Sequence, residues 1–319
     1  MAPVKHSLVI PVYRNEGSIP ELITAVRGIS DKLGGRLETV FVVDGSPDRC
    51  WALLSELLPA SGLDARLILL SRNFGSFAAI RVGLEAATGD DFAVMAADLQ
   101  EPPELIENVF RELETLDSDV VIGTREARGD PLSSRIASRI FWGLYRRFVV
   151  PEMPSGGVDI FGCNRRFRDE LLAMRESHSS LVSMIFWLGF RRKALSYRRN
   201  ERVHGKSAWT LRKKFRYLSD SIFSFTDLPN RLLIWIGAFG VGISAILGIV
   251  TAIARVTGLI DVPGYSATIV VIAFFAALNL FGLGLVGSYA WRAYENTKAR
   301  PIAIAQRSLT FGASREPRG

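Results

Sequence analysis

The sequence predicts a doubly wound, mostly parallel α/β sheet, followed by an interfacial amphipathic helix and two transmembrane helices. Three observations predict this. Short β-rich apolar runs alternate with helical patterns through the first 125 of 319 residues, the order expected of a parallel sheet covered by helices. Two of those runs end in an aspartate, Asp44 and Asp98, at the carboxyl edge where such sheets bind ligands. Residues 232–254 and 262–291 form stretches of 23 and 30 residues without a charge, and about 20 apolar residues cross a bilayer.

Taken in order, strands are expected over residues 7–12, 39–44, 66–71, 92–98 and 119–124, each a short apolar run. Between them "ELITAVRGISDKL", "CWALLSELL", "FAAIRVGLEAA" and "PELIENVFRELE" carry apolar residues at helical spacing. Beyond residue 130 the pattern predicts a helix over 134–148, a turn at "PSGG" and a helix over 165–174. From Ala208 onward, Leu211, Phe215, Leu218, Ile222 and Phe225 recur at three and four, while Arg212, Lys213, Lys214 and Arg216 project elsewhere. Just before a membrane span this suits a helix lying in the interface; packing on the soluble domain is the alternative. The resulting organisation is a catalytic-type domain over 1–207, an amphipathic helix over 208–231, spans over 232–254 and 266–291, an external loop over 255–265, and a tail over 292–319 that is polar after Ser308.

The glycines of the apolar stretches (Gly237, Gly240, Gly242, Gly248, Gly282, Gly284, Gly287) offer surfaces on which helices pack closely in lipid, which makes a homo-oligomer an expectation. Eight Lys/Arg between Arg198 and Arg216, and Arg292, Lys298, Arg300 and Arg307 after the second stretch, flank the spans on one side. Only Arg255 and Asp261 lie between them, so both termini are expected in the cytoplasm. The formal charge of +7 concentrates beside the membrane, favouring lipid head groups and a phosphorylated ligand over nucleic acid. The first apolar run is short and broken by Pro11, unlike a signal peptide. Cys50 and Cys163 lie in the part expected in the cytosol, so no disulfide is implied. His6, His178 and His204 are too scattered for a metal site. No GxGxxG follows the first strand, which argues against a dinucleotide dehydrogenase.

The ordered motifs "PVYRNEGSIPEL", "VVDGSPD", "LSRNFGSFAAIRVGLEAATGD", "ADLQEPPE", "GTR" and "ERVHGKSAWTLRKKFRYLSD", ahead of two apolar stretches, resemble the family-2 glycosyltransferases that load a sugar onto polyprenyl phosphate, the group with dolichol-phosphate mannose synthase and bactoprenol glucosyltransferases. The resemblance implies a GT-A fold, an integral membrane enzyme with its catalytic domain on the cytoplasmic face, a UDP- or GDP-linked sugar donor, and undecaprenyl or dolichyl phosphate as acceptor. By position it implies that Pro11, Tyr13 and Glu16 line the nucleoside pocket and that Asp44 binds base or ribose. Asp98 and Gln100 are implied as ligands of Mg²⁺ or Mn²⁺, and residues two apart on a strand share a face. Oxygen donors suit those ions. Arg202 and Lys206 are implied at the donor diphosphate, and Arg125, Arg135 and Ser138 at the lipid phosphate. Asp159 is implied as general base, although a phosphate monoester has its second pKa near 6 and Asp159 can instead orient the acceptor.

The chain departs from the family pattern at two positions, and several residues admit a second reading. Val43 and Ala96 stand where the family usually has aspartates. Asp98 has a minority alternative as a helix N-cap before "EPPE", which could coexist with metal binding, while Lys206 reads equally as a membrane-facing base and Arg135 as a solvated helix charge. The competing functions are a processive polysaccharide synthase, which would carry a QxxRW-type motif and more spans, and a catalytically silent membrane adaptor of the same fold.

Overall fold

The computed structural model describes residues 6–125, 143, 145–147, 149–154, 157–174, 176, 180–198, 200, 222, 226, 228–257 and 264–312. The chain divides into two units, Met1–Phe215 together with Arg300–Gly319, and Arg216–Ala299.

The first unit is built on one mixed sheet of β1 (His6–Val12), β2 (Leu37–Val43), β3 (Asp64–Leu70), β4 (Asp91–Val94), β5 (Val120–Arg125), β6 (Ile160–Asn164), β7 (Arg192–Tyr197) and β8 (Ala305–Phe311). The strand order is β7-β5-β6-β4-β1-β2-β3-β8. Strands β4, β1, β2 and β3 are mutually parallel, β7 is parallel to β5, and β6 and β8 run antiparallel to their neighbours. Central strands covered on both faces need apolar side chains on both. Accordingly every residue of β2 is buried, and Leu8, Val9, Ile10 and Val12 of β1 have no exposed surface. Helices α1 (Ile19–Lys32), α2 (Cys50–Ser61), α3 (Ser76–Ala86), α4 (Pro103–Glu114), α5 (Arg165–Ala173) and α6 (Leu181–Trp187) cover the sheet. Leu22, Val26 and Ile29 of α1 and Ile106, Val109 and Phe110 of α4 enter the core, as their three- and four-residue spacing predicts.

The five strands and four helices expected before residue 125 are present, with one consequential difference. Strand β4 stops at Val94. The Met95 amide still bonds to Val9 at 3.1 Å, but Ala97–Asp98 is a turn and Leu99 has φ 54°, so residues 95–98 leave the sheet. The "PSGG" turn and the helix expected over 134–148 lie largely outside the described residues, as does the amphipathic helix over 208–231. The tail contributes β8, paired with β3 between Ala65↔Phe311 and Leu70↔Ala305.

The second unit contains α7 (Leu228–Val256) and α8 (Tyr265–Thr297), which take up most of the two uncharged stretches. A Cβ on Gly240 would lie 3.3 Å from the Phe275 ring, and one on Gly282 3.5 Å from Leu233, so small residues let these helices approach each other. Among the described residues, Phe274–Thr297, 24 residues of mean hydropathy 1.4, is long and apolar enough to cross a membrane. Trp235, Phe239, Leu280 and Leu283 are each about two-thirds or more exposed.

Candidate functional site

The carboxyl ends of β1 and β2 carry a cleft of about 490 Å³ lined by Arg14, Asn15, Glu16, Gly17, Ser18, Pro47 and Asp48. Hydrogen bonds stitch its two rims together. The Arg14 amide donates to Ser46 Oγ at 2.8 Å, the Glu16 amide to Asp48 Oδ2 at 3.3 Å, and the Arg49 amide to Glu16 Oε2 at 3.0 Å. Ser46 Oγ donates to Asp48 Oδ1 at 2.6 Å, and Ser18 Oγ reaches the Ala97 carbonyl at 2.9 Å. Burial pushes the Asp48 carboxyl up, but the bonds from Ser46, Cys50 and the Glu16 amide outweigh it and hold its pKa below the ordinary value. Glu16 is exposed and lines this cleft, whereas Pro11 and Tyr13, both half-buried, precede its lining residues in the chain.

Asp44 follows β2 and is 2% exposed. Its Oδ1 accepts from the Phe74 amide at 2.7 Å and its Oδ2 from the Gly75 amide at 2.8 Å, fixing the loop that starts α3. Burial raises its pKa, against those two amides and the Arg72 charge. The carboxylate expected to meet base or ribose is thus turned toward the loop. Gly45 explains the glycine of the same motif: its φ is 54°, and a Cβ would lie 2.2 Å from the Arg72 carbonyl carbon and 2.5 Å from the Asn73 nitrogen.

Asp98 and Gln100 do not share a strand face, because the strand has ended and the backbone reverses at Leu99. They are joined instead through the turn, Asp98 Oδ1 accepting from the Gln100 amide at 3.4 Å. The N-cap of α4 is Pro102, so Asp98 does not cap that helix. Gln100 is 7% exposed; its carbonyl accepts from the Asn200 amide at 2.9 Å and its Nε2 donates to the Asn200 carbonyl at 3.5 Å. No group of three His, Cys, Asp or Glu side chains suited to a metal occurs among the described residues. An Asp–Gln oxygen pair fits an ion such as Mg²⁺ that takes its remaining ligands from diphosphate and water.

Next to this turn stands a cluster that sequence reasoning only half identified. Arg125, the last residue of β5, donates from Nε and Nη2 to the two oxygens of Asp159. The Tyr197 hydroxyl, at the end of β7, donates to Asp159 Oδ2 at 2.7 Å. Burial lowers the Arg125 pKa, but the bond and charge of Asp159 together with the charges of Tyr197 and Glu101 outweigh it, so the guanidinium is held charged. Burial, then the Asp159 charge, pushes the Tyr197 hydroxyl far above the usual phenol range. Asn200, three residues beyond Tyr197, exchanges hydrogen bonds with Gln100, so the segment following Asp98 adjoins this cluster. Arg135, Ser138, Arg202 and Lys206 lie outside the described residues. Tyr197 and Asn200 were missed because nothing local marks them; they become neighbours of the site through the β5–β7 pairing.

A mixed sheet with a stitched cleft at the carboxyl ends of its parallel strands belongs here to a glycosyltransferase domain. Residues 7–207 match the family model "Glycosyl transferase family 2", and the chain belongs to that family. It is 29% identical over 299 residues, 93% of this chain and 97% of the relative, to a bactoprenol glucosyl transferase of Shigella phage SfX. It is 30% identical over 297 residues, covering 92% and 91%, to an undecaprenyl-phosphate 4-deoxy-4-formamido-L-arabinose transferase of Aeromonas hydrophila. An uncharacterized glycosyltransferase of Bacillus subtilis, YkcC, is 30% identical over 308 residues, covering 96% and 94%.

Proposed function

We propose that this glycosyltransferase moves one sugar from a nucleotide diphosphate sugar, UDP- or GDP-linked, to a polyprenyl phosphate at the cytoplasmic face of a membrane, inverting the anomeric centre by direct displacement. The observation that carries it is the adjacency of an Asp98–Gln100 turn, suited to a divalent ion on a diphosphate, and a partly exposed, permanently charged Arg125 suited to an acceptor phosphate. Near full-length similarity to enzymes named for bactoprenol and undecaprenyl phosphate supports the acceptor class.

In this mechanism Pro11, Tyr13 and Glu16 line the nucleoside cleft, and Asp44 supports it by fixing residues 74–75. Asp98 and Gln100 would hold Mg²⁺ or Mn²⁺, which offsets charge on the departing nucleotide diphosphate. Arg202 and Lys206 are proposed at the same diphosphate, and Arg135 and Ser138 with Arg125 at the lipid phosphate. Both oxygens of Asp159 are engaged by Arg125 and Tyr197. The acceptor oxygen is already largely anionic at neutral pH. Asp159 therefore orients the acceptor site instead of removing a proton.

Two membrane spans, one within α7 and one within α8, are part of the proposal. Chain connectivity supports the number: β8 follows α8 yet pairs with β3 of the N-terminal domain, so any crossings between them are even in number and both ends share a compartment. The Trp291 and Tyr294 rings lie 5.1 and 4.2 Å from Lys298 Nζ, the aromatic and basic composition of a membrane interface. A Cβ on Gly237, Gly242, Gly284 or Gly287 would meet nothing within 4 Å, leaving small surfaces for a second copy.

The test is incubation of membranes containing the full chain with labelled UDP- and GDP-sugars and undecaprenyl phosphate, followed by lipid extraction. The expected result is a divalent-ion-dependent label in the lipid phase from one donor. Label in polymer would favour a processive synthase, and no transfer from any donor an inactive adaptor.

A further inference from the structure

A guanidinium presents two bidentate edges, one through Nε and Nη2 and one through Nη1 and Nη2. Asp159 occupies the Nε–Nη2 edge of Arg125. Among the described residues Nη1 makes no hydrogen bond, while the Arg125 side chain is 31% exposed. The free edge has the geometry to take a phosphate, and its direction depends on how firmly Asp159 is held. The group that holds Asp159 from the other side is the Tyr197 hydroxyl, at 2.7 Å.

We propose that Tyr197 is a positioning residue for the acceptor: by fixing Asp159 it keeps the Nη1–Nη2 edge of Arg125 aimed at the polyprenyl phosphate. The inference rests on the reading that Arg125 receives that phosphate. Three features of the fold support it. The strand register pairs Arg125 with Tyr197 directly. Gly123 makes room for the packing, since a Cβ there would lie 2.6 Å from Ile160 Cγ1 and 3.5 Å from Tyr197 Cε1. Tyr197 is 5% exposed, so no bulk water competes strongly for the hydroxyl, and its raised pKa keeps it a proton donor at any working pH. The three residues come from β5, the segment before β6 and the end of β7, so the arrangement depends on the sheet and not on one flexible loop.

The test uses the full chain in detergent and measures binding of undecaprenyl phosphate, binding of UDP and GDP, and the melting temperature. Tyr197→Phe keeps the ring and removes the hydrogen bond to a charged group. It should weaken undecaprenyl phosphate binding by about tenfold or more, with nucleotide binding unchanged. Because Tyr197 acts through Asp159, adding Tyr197→Phe to Asp159→Ala should change acceptor binding by less than about twofold. If Arg125→Ala weakens acceptor binding and Tyr197→Phe does not, the inference is overturned while the reading of Arg125 stands. If Arg125→Ala leaves acceptor binding intact, both fall. Parallel loss of nucleotide and acceptor binding with a lowered melting temperature, or full additivity with Asp159→Ala, would make Tyr197 a merely structural residue.

Discussion

Three glycines, one of them at the donor edge, separate steric from conformational demands on the backbone. At Gly45 the φ of 54° and the contacts a Cβ would make, 2.2 to 2.6 Å from backbone atoms of Arg72 and Asn73, act together. The left-handed conformation costs an L-residue roughly 1–2 kcal/mol. Displacing packed atoms costs about 1–3 kcal/mol more. Gly45→Ala should therefore destabilise by about 2–5 kcal/mol, and at about 2–4 °C per kcal/mol for a domain of this size the melting temperature should fall by roughly 10 °C. Gly34 has φ 65° but nothing within 4 Å of a Cβ, so Gly34→Ala should cost only the conformational part, about 1–2 kcal/mol. Gly28 lies in α1 with open space around it, and Gly28→Ala should stabilise by about 0.5–1 kcal/mol. The assay is thermal unfolding of the three full-length variants in one detergent, with nucleotide binding measured well below the transition. Because the Arg72–Asn73 backbone leads into the amides held by Asp44, Gly45→Ala should also weaken nucleotide binding. A Gly45→Ala protein that melts with Gly34→Ala would show that the contact with residues 72–73 does not constrain the edge.

Asp98→Asn keeps an oxygen for the Gln100 amide, so it should melt like the parent while sugar transfer at limiting Mg²⁺ or Mn²⁺ collapses; normal transfer would withdraw the metal assignment. Asp119 accepts from Arg191 Nε at 3.0 Å and Asn164 Nδ2 at 3.0 Å, and the Arg191 bond is the main cause holding its pKa below the usual 3.8. A depressed folded pKa contributes stability above the unfolded value that is lost as pH falls through the folded one. Asp119→Asn should accordingly cost about 1.5 kcal/mol at pH 7, and the gap in melting temperature should close as pH drops below 3.8. Burial, then the bond with Asp48, raises the Cys50 thiol to about 12. At pH 8 only about one thiol in 10⁴ is ionised, so iodoacetamide should label Cys50 after unfolding and not before, as followed by mass spectrometry.

How much of the fold was legible depended on where each element's partners lie. Strands β1 to β5 and helices α1 to α4 declare themselves because each buries an apolar run or stripe of its own. Strand β8 could not, since six of its seven residues are exposed and Phe311 is half-buried. Its strand state comes from backbone pairing with β3, reached only after the intervening helices return the chain to the sheet. The end of β4 is hidden in the sequence for a related reason. "FAVMAA" is apolar throughout, but apolarity reports burial and not extension, and Met95 and Ala97 are buried after the strand has ended.

The site divides along the same line. Asp98 and Gln100 stand out in the sequence because they close an apolar run two residues apart, although the turn that joins them does not. The roles drawn for Asp44 and Asp159 required knowing what stands opposite them. Asp44 finds amides 30 and 31 residues away, and Asp159 finds Arg125 and Tyr197 at separations of 34 and 38. A carboxylate read alone suggests a base. The same carboxylate between a guanidinium and a phenol has both oxygens committed, and what it can still do is hold the arginine in place. That change of role follows from the β5–β6 and β5–β7 pairings, which set residues 123–125, 159–160 and 197 side by side.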